Sequence, residues 1–158
     1  MNPEPTREHQ WLQQLVGEWT FESIAQGAPD DPPFLTSGTT SFRTLGDVWV
    51  VGNMVEQQEH GPHYNIISLG YDPAKARFVG TFISSMMPQL WVYEGELDAA
   101  ANRLVLNSDG PSMDGSGGVA HFQDIVEIPG PNTYIMRSQA EGPDGWVEFM
   151  KMTFTRTA

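Results

Sequence analysis

The sequence predicts an all-β protein, a roughly ten-stranded antiparallel up-and-down β-barrel with one short N-terminal helix. Short stretches of alternating apolar and polar residues, rich in aromatic and β-branched side chains, recur from residue 18 to residue 156. Turn signals of Pro, Gly, Asp and Asn separate them at regular spacing. No second helix is long enough for a parallel crossover. A meander of this kind removes its exposed edges by closing on itself, with an open sandwich as the alternative.

Length and composition indicate a single globular domain over residues 1–158. Hydrophobic residues make up 39% and aromatic residues 11%, a globular rather than a disordered composition. Acidic residues number 20 against 8 basic ones, a net charge of −12. Because such a surface repels phosphate groups, neither nucleic acid nor an anionic membrane is an expected partner. Without cysteine, the chain has no disulfide, thiol nucleophile or thiolate metal site.

The sequence also predicts a soluble cytoplasmic location. The first ten residues, MNPEPTREHQ, lack the basic segment and apolar core of a signal peptide. No apolar run approaches the about 20 residues that cross a bilayer as a helix.

The first predicted element is a helix over residues 6–16. Thr6 is a suitable N-cap, Glu8 is favourable in the first turn, and Gly17 is a natural stop. The helix carries one apolar stripe, formed by Trp11, Leu12, Leu15 and Val16. A short helix with a one-sided stripe must lie on a surface, which the strands supply.

Ten strands follow the helix. Their predicted ranges are 18–26, 36–45, 48–58, 63–71, 77–84, 90–97, 103–108, 119–128, 133–140 and 146–155. Segment 109–118, DGPSMDGSGG, is predicted to be a mobile glycine-rich loop.

The strand over residues 90–97 indicates how the barrel interior is built. Its two faces are Trp91, Tyr93, Gly95 and Leu97 on one side and Leu90, Val92, Glu94 and Glu96 on the other. Burying two aromatic side chains removes far more surface from water, so the Trp91 face is predicted to point inward. Gly95 would leave room beside the rings, and both glutamates would stay in water. Met86 and Met87 precede Pro88 in a connection predicted to lie at the cavity mouth.

Several segments resemble one protein family. They are GEWTFE at 17–22, SLGYDPAKARFVGTF at 68–82, SMMPQLWVYEGELD at 85–98, HFQDIVEI at 121–128 and FMKMTFTR at 149–156. Together they resemble the bacterial family known as domain of unknown function 1579. The resemblance implies a calycin-type barrel, similar in shape to lipocalins, fatty-acid-binding proteins and nitrobindins. It implies no activity.

A smaller resemblance concerns the start of the first strand. Gly17-Glu18-Trp19 is similar to the Gly-x-Trp opening of lipocalin first strands, in which the Trp closes the barrel floor beneath a basic residue of the last strand. Arg156 is the matching basic residue here, and a guanidinium over an indole is favourable by about 0.5–2 kcal/mol. Both residues are predicted to be structural.

Seven residues are the candidates for contact with a ligand in the cavity: Phe82, Met86, Met87, Trp91, Tyr93, His121 and Gln123. His121 and Gln123 share a strand face with Ile125 and Glu127; they would orient a ligand if that face met a partly wet cavity, whereas simple alternation favours a face turned toward solvent. The chain is also rich in methionine, whose flexible side chain suits either an adaptable pocket or the filling of core gaps.

The sequence indicates no metal, cofactor or catalytic residue. His60 and His63 flank a turn, an arrangement more typical of a turn than of a metal clip. Nitrobindins bind haem through a histidine late in the chain, and no histidine follows His121 here. No nucleophile elbow, phosphate-binding loop or His-Glu-x-x-His motif occurs.

The favoured hypothesis is therefore a non-enzymatic barrel that binds a small, largely apolar molecule. One alternative is an enzyme that uses His121, Tyr93 and Glu94 as acid–base groups in the cavity. Another is a homodimer with a filled barrel, which would associate through outward residues among Val48, Val50, Ile66 and Ile83.

Overall fold

The computed structural model describes residues 2–158. From Gly17 on, the chain forms ten antiparallel strands that close into a barrel. Each strand pairs with its neighbours in sequence, and β1 pairs with β10 to close the sheet. The predicted fold class is confirmed, and the open sandwich is wrong. The strands are β1 Gly17–Ala25, β2 Phe34–Leu45, β3 Trp49–Gln58, β4 Gly61–Asp72, β5 Arg77–Ser84, β6 Met87–Asp98, β7 Arg103–Pro111, β8 Val119–Gly130, β9 Thr133–Gly142 and β10 Gly145–Arg156.

A short helical segment covers one end of the barrel. It consists of α1, Arg7–Leu12, and a 3-10 turn, Gln13–Leu15, so the regular helix is shorter than predicted. His9 fixes it in place. The backbone N–H of Thr6 donates to Nδ1 of His9 at 2.8 Å, and Nε2 therefore carries the proton that it donates to the Tyr71 carbonyl oxygen at 2.9 Å. A histidine without a recognisable partner in the sequence thus joins the helix to the end of β4.

Trp19 and Arg156 seal this end in the way that the Gly-x-Trp resemblance implies. The guanidinium carbon of Arg156 lies 4.2 Å from the centre of the Trp19 ring. The same guanidinium donates to the carbonyl oxygens of Gln14 and Val16 at 2.8 and 2.6 Å. It thereby satisfies carbonyl groups that the end of the helical segment leaves free. Gly17 has a φ of +137°, and a Cβ there would lie 2.7 Å from the backbone carbonyl oxygen of Ala158, so both the backbone and the space require glycine.

The half of the barrel next to the helix is filled by side chains. Trp19, Tyr134 and Phe154 are almost completely buried, with the Tyr134 and Phe154 rings stacked 4.0 Å apart. Other buried residues at this end are Leu12, Leu15, Val50, Leu69, Phe78, Leu104 and Ile128. We refer to this region as the filled half.

Two strands near the opposite end are longer than predicted. β6 begins at Met87, where Met87 pairs with Ser84, so Pro88 lies in the strand and not in the connection. β7 runs to Pro111, so residues 109–111 of the predicted loop are also strand. The ladder between β6 and β7 extends only from the Asp98–Arg103 pair to the Glu94–Asn107 pair. Beyond it, β6 can accommodate Pro88 because that part of the strand needs no donor toward β7.

The outer face of β4, β5 and β6 carries exposed apolar side chains. Ile66 and Ile83 are direct cross-strand partners and both are exposed. Val50, in contrast, points into the core and is fully buried, so its predicted outward position is wrong, and Val48 is half-buried in the β2–β3 turn. Among residues 2–158, no helix has the length and apolar character needed to cross a membrane.

Candidate functional site: an apolar cavity with a buried carboxyl group

The half of the barrel farther from the helix is hollow. It contains a cavity of about 510 Å³ that reaches the end at which the β1–β2, β5–β6 and β7–β8 connections lie. We refer to this region as the hollow half. The interior of a barrel widens with strand number, and eight strands already leave room for packed side chains or one small ligand. Ten strands therefore enclose an open space unless large residues fill every inward position.

Methionine is the characteristic residue of this cavity. Every methionine of the chain after Met1 lines it: Met54, Met86, Met87, Met113, Met136, Met150 and Met152. Met86 and Met113 lie at the mouth and are 54% and 63% exposed. Thioether side chains gathered on one cavity supply a polarisable wall that can change shape around a ligand.

Five of the seven predicted ligand contacts line the cavity: Phe82, Met86, Met87, Trp91 and Tyr93. The inward direction predicted for the Trp91 and Tyr93 face is the one that the structure has. Gly95 continues that face but leaves no free space, because a Cβ there would lie 2.4 Å from the Val105 carbonyl oxygen. Its role is to allow the close approach of β7.

Trp91 forms the wall of the cavity where β6 and β7 no longer pair. A Cβ on Gly110 of β7 would lie 2.1 Å from the indole ring, so glycine makes room for it. The indole N–H donates to Sδ of Met87 at 3.0 Å, and the ring meets Phe122 edge-on with centroids 5.3 Å apart. Trp91 thus covers the gap between two strands that backbone hydrogen bonds do not close.

His121 and Gln123 lie outside the cavity, and the prediction that they line it is wrong. Nδ1 and Nε2 of His121 are 2.8 and 3.1 Å from Oδ1 of Asp109 and Oδ1 of Asn107, and Gln123 also donates to Asn107. The other face of β8 carries Phe122, which is buried in the cavity wall. Since strand faces alternate, the apolar set turned inward and the polar set turned outward.

The acid–base set considered for an enzyme is not assembled. Tyr93 faces the cavity, whereas Glu94 lies on the outer face, 59% exposed, with its carboxylate 3.5 Å from Nζ of Lys75. His121 is on the outer face as well. Of the three residues that this alternative required, only Tyr93 faces the cavity.

Sequence reasoning missed the most distinctive polar group of the cavity, the Asp124 carboxyl group. The Tyr93 hydroxyl passes over β7 and donates to Oδ2 of Asp124, and the Ser138 hydroxyl donates to Oδ1 at 2.6 Å. Asp124 shares its strand face with Phe122, Val126 and Ile128, so an acid within an apolar set was the available signal. Its partners, however, lie on β6 and β9 and could not be read from the pattern.

Burial controls the protonation of this cluster. Removal from water raises the pKa of the Asp124 carboxyl above its ordinary value of 3.8, although the hydrogen bonds from Ser138 and Tyr93 act in the opposite direction. Burial and the adjacent carboxylate raise the pKa of the Tyr93 hydroxyl well above 10.0. Tyr93 is therefore a neutral donor at physiological pH. Asp124 faces the cavity, so part of its surface remains open to a small molecule inside.

The remaining polar groups of the wall are few. Ser23, Asn65 and Ser108 are each more than nine-tenths buried and face the cavity. Glu56 lies nearer the mouth and accepts a hydrogen bond from Thr36 at 2.5 Å. Within residues 2–158, no lysine, arginine or histidine lines the cavity, and no group of three or more potential metal ligands is found.

Fold and site together define an antiparallel barrel that is closed at one end by a helical segment and contains an apolar cavity toward the other. The chain belongs to a family described as "Protein of unknown function (DUF1579)", whose sequence model matches residues 4–156. This confirms the family that the sequence resembles. No curated protein sequence gives a significant match.

Solved structures with a similar fold share little sequence with this chain. Rv2717c from M. tuberculosis is 12% identical, with a TM-score of 0.65 over 98% of this chain and 100% of that one. The S-type phycobiliprotein lyase CPES from Guillardia theta is 12% identical, with a TM-score of 0.63 over 98% and 99%. A de novo designed fluorescence-activating β-barrel is 14% identical, with a TM-score of 0.51 over 92% and 95%. At these identities the comparisons establish the fold alone.

Proposed function

We propose that this protein binds one small, largely apolar molecule inside the barrel and performs no catalysis on it. The observation that carries the proposal is the cavity of about 510 Å³ with its methionine wall. This volume lies within the roughly 300–1,000 Å³ typical of small-molecule sites. A wall of apolar side chains with few polar groups is also typical of such sites.

The shape of the fold supports the same proposal. Exposed Met86 and Met113 at the mouth provide an apolar path from the surface to the interior. The designed barrel with a similar fold is named for activating fluorescence, and the similar lyase is named for acting on phycobiliproteins. These names are compatible with a barrel that holds a small molecule, and the cavity described above supplies the space for one here.

Titration with Nile red, a neutral apolar dye, tests the proposal. We expect saturable binding with one dye per chain. Ser108→Trp places a large ring in the cavity. It should weaken binding by about tenfold, because the ring occupies space and covers apolar wall area that the dye would otherwise contact. Val92→Thr changes only the exposed outer face and is the matched control.

Absence of saturable binding would contradict the proposal. So would a Ser108→Trp variant that melts like the unaltered protein and binds the dye equally well. Loss of binding in Val92→Thr alone would place the dye on the outer face. Native mass spectrometry of freshly purified protein provides an independent measurement, because a retained ligand adds a defined mass.

A second candidate function is self-association through the outer face of β4–β6. The exposed Ile66 and Ile83 pair, with Tyr64, Leu90 and Val92 also exposed on these strands, favours it. We expect sedimentation velocity at micromolar concentration to show a dimer that Ile83→Lys converts to monomer. Monomeric behaviour of the unaltered protein would contradict this candidate.

A further inference from the structure

The cavity is apolar in surface but acidic in charge. Its wall contains two carboxyl groups, Asp124 and Glu56, and, within residues 2–158, no basic side chain. A fatty acid or another organic anion would bring a negative charge into a space that offers no cation to receive it. The electrostatics therefore disfavour anions and favour a ligand that carries positive charge.

Asp124 is enclosed by the barrel and, within residues 2–158, has no counterion. Its two partners, Tyr93 and Ser138, are neutral hydroxyl groups that donate one hydrogen bond each. A carboxylate offers about four acceptor positions, so roughly two remain for a group inside the cavity. A buried carboxyl group with neutral partners is costly to keep in the empty protein, and such groups often mark functional sites.

A second polar residue facing the cavity lacks a strong partner. Asn65 is 6% exposed, and its side-chain amide donates to Sδ of Met54 at 3.5 Å, which is a weak acceptor. No other side-chain hydrogen bond of Asn65 is found among residues 2–158. The structure thus holds a polar side chain that is removed from bulk water, directed into the cavity and free to bind a ligand.

We propose that the ligand has an apolar body and one basic nitrogen, and that this nitrogen donates a charge-assisted hydrogen bond to the Asp124 carboxylate. The inference rests on the proposed binding function and gives the chemical class of its ligand. Tyr93 and Ser138 hold the two carboxylate oxygens in place, so the acceptor is oriented before the ligand arrives. Asn65 provides a second polar contact, and the methionine wall surrounds the apolar body.

Three probes that share one naphthyl group test this inference: naphthylmethylamine, naphthylmethanol and naphthoic acid. Each is titrated near neutral pH against protein that carries bound Nile red, and displacement of the dye is measured. We expect the amine to bind about tenfold or more tightly than the alcohol, because a charge-assisted hydrogen bond is roughly twice as strong as a neutral one. The acid should bind most weakly.

Asp124→Asn keeps the shape of the side chain and removes its charge. We expect it to lose most of the amine preference, leaving an amine-to-alcohol affinity ratio below about threefold. The Nile red affinity of the variant is measured first, so that the displacement by each probe is referred to the dye affinity of the same protein. Glu94→Gln removes the same charge from the outer face and should keep the full preference, which excludes a general effect of the net charge. Asp124→Ser is a second variant for the case that Asp124→Asn does not fold.

The outcomes distinguish this inference from the proposed function. If Nile red and the naphthyl alcohol bind but the amine shows no preference, the basic nitrogen is wrong and apolar binding stands. If the preference survives in Asp124→Asn and disappears in Glu56→Gln, the assignment to Asp124 is wrong. If no probe and no dye binds, the proposed function fails and this inference fails with it.

Discussion

The filled and hollow halves of the barrel are built from the same ten strands, yet one is solid and the other contains a cavity. In the filled half the inward positions carry Trp19, Tyr134 and Phe154, large rigid rings that stack and leave no space. In the hollow half, methionine, serine and Asn65 occupy many inward positions, and the rings of residues such as Phe82, Trp91 and Phe122 form the wall around the space without filling it. Strand alternation selects which residues point inward, and their size and stiffness then decide whether they fill the space.

The two halves also differ in how their polar groups are satisfied. At the filled end, Arg156 donates to backbone carbonyl groups and lies over Trp19, so its charge stabilises the closure. In the hollow half, Asp124 has only neutral partners and faces empty space. One region is arranged for stability, and the other keeps an unmatched charge where a ligand can reach it.

Trp19→Ala should have the largest effect, because it removes a ring that the filled half packs on all sides. The variant loses the Tyr134 contact, with ring centroids 4.6 Å apart, and the Arg156 contact. We expect a loss of about 3–5 kcal/mol in the free energy of unfolding, measured by urea denaturation. A loss below about 1 kcal/mol would show that side chains do not pack tightly around Trp19 in the filled half.

Trp91→Ala makes the equivalent change in the hollow half. Because the ring already borders empty space, we expect a smaller loss, about 2 kcal/mol, but a dye affinity weaker by about fivefold. Urea denaturation and Nile red titration of both tryptophan variants measure the contrast directly. If Trp91→Ala leaves both stability and binding unchanged, its ring does not belong to the cavity wall. If Trp91→Ala lowers the free energy of unfolding as much as Trp19→Ala does, the Trp91 ring is packed on all sides and does not border a cavity.

Asp124→Asn should change how stability depends on pH. The folded state raises the pKa of Asp124 above 3.8, so it holds the proton more tightly than the unfolded state does. The free energy of unfolding therefore falls as pH rises from 3.8 through the folded-state pKa, by about 1.4 kcal/mol for each unit of the shift. The asparagine variant lacks this loss. Its free energy of unfolding should therefore rise relative to that of the unaltered protein over the same pH range.

Urea denaturation across the pH range measures this difference. Asp47→Asn, in the exposed β2–β3 turn, is the matched control and should not reproduce it. A stability difference between Asp124→Asn and the unaltered protein that stays constant with pH would show that the carboxyl group is not desolvated in the hollow half.

Met152→Leu should have the smallest effect on stability. The exchange conserves volume approximately, so we expect a loss below about 1.5 kcal/mol, similar to that of Leu104→Met in the filled half. Nile red affinity should fall by about two- to threefold in Met152→Leu alone, because leucine cannot adapt its shape to the dye. Equal dye binding in both variants would indicate that methionine only fills gaps.

Much of the fold follows from the sequence because it depends on local patterns. Alternation and turn residues predicted the strands. The large apolar surface of two aromatic rings predicted which face of β6 points inward. The Gly17, Trp19 and Arg156 arrangement was also accessible, through the resemblance of Gly17-Glu18-Trp19 to the Gly-x-Trp opening of lipocalin first strands. The ends of β6 and β7 could not be predicted from the sequence, because the Met87–Ser84 pairing and the approach of Gly110 to Trp91 depend on neighbouring strands.

The site depended on contacts that only the closed barrel creates. The pattern of β8 divided its residues into two faces but did not decide which one pointed inward, and His121 and Gln123 were assigned to the wrong side. Asp124 meets Tyr93 and Ser138, which are 31 and 14 residues away in the chain. The sequence by itself therefore determined the strands and their alternation, because these arise from neighbouring residues. Tertiary structure decided the cavity and its buried carboxyl group, because both result from closing ten strands around a space that their inward side chains do not fill.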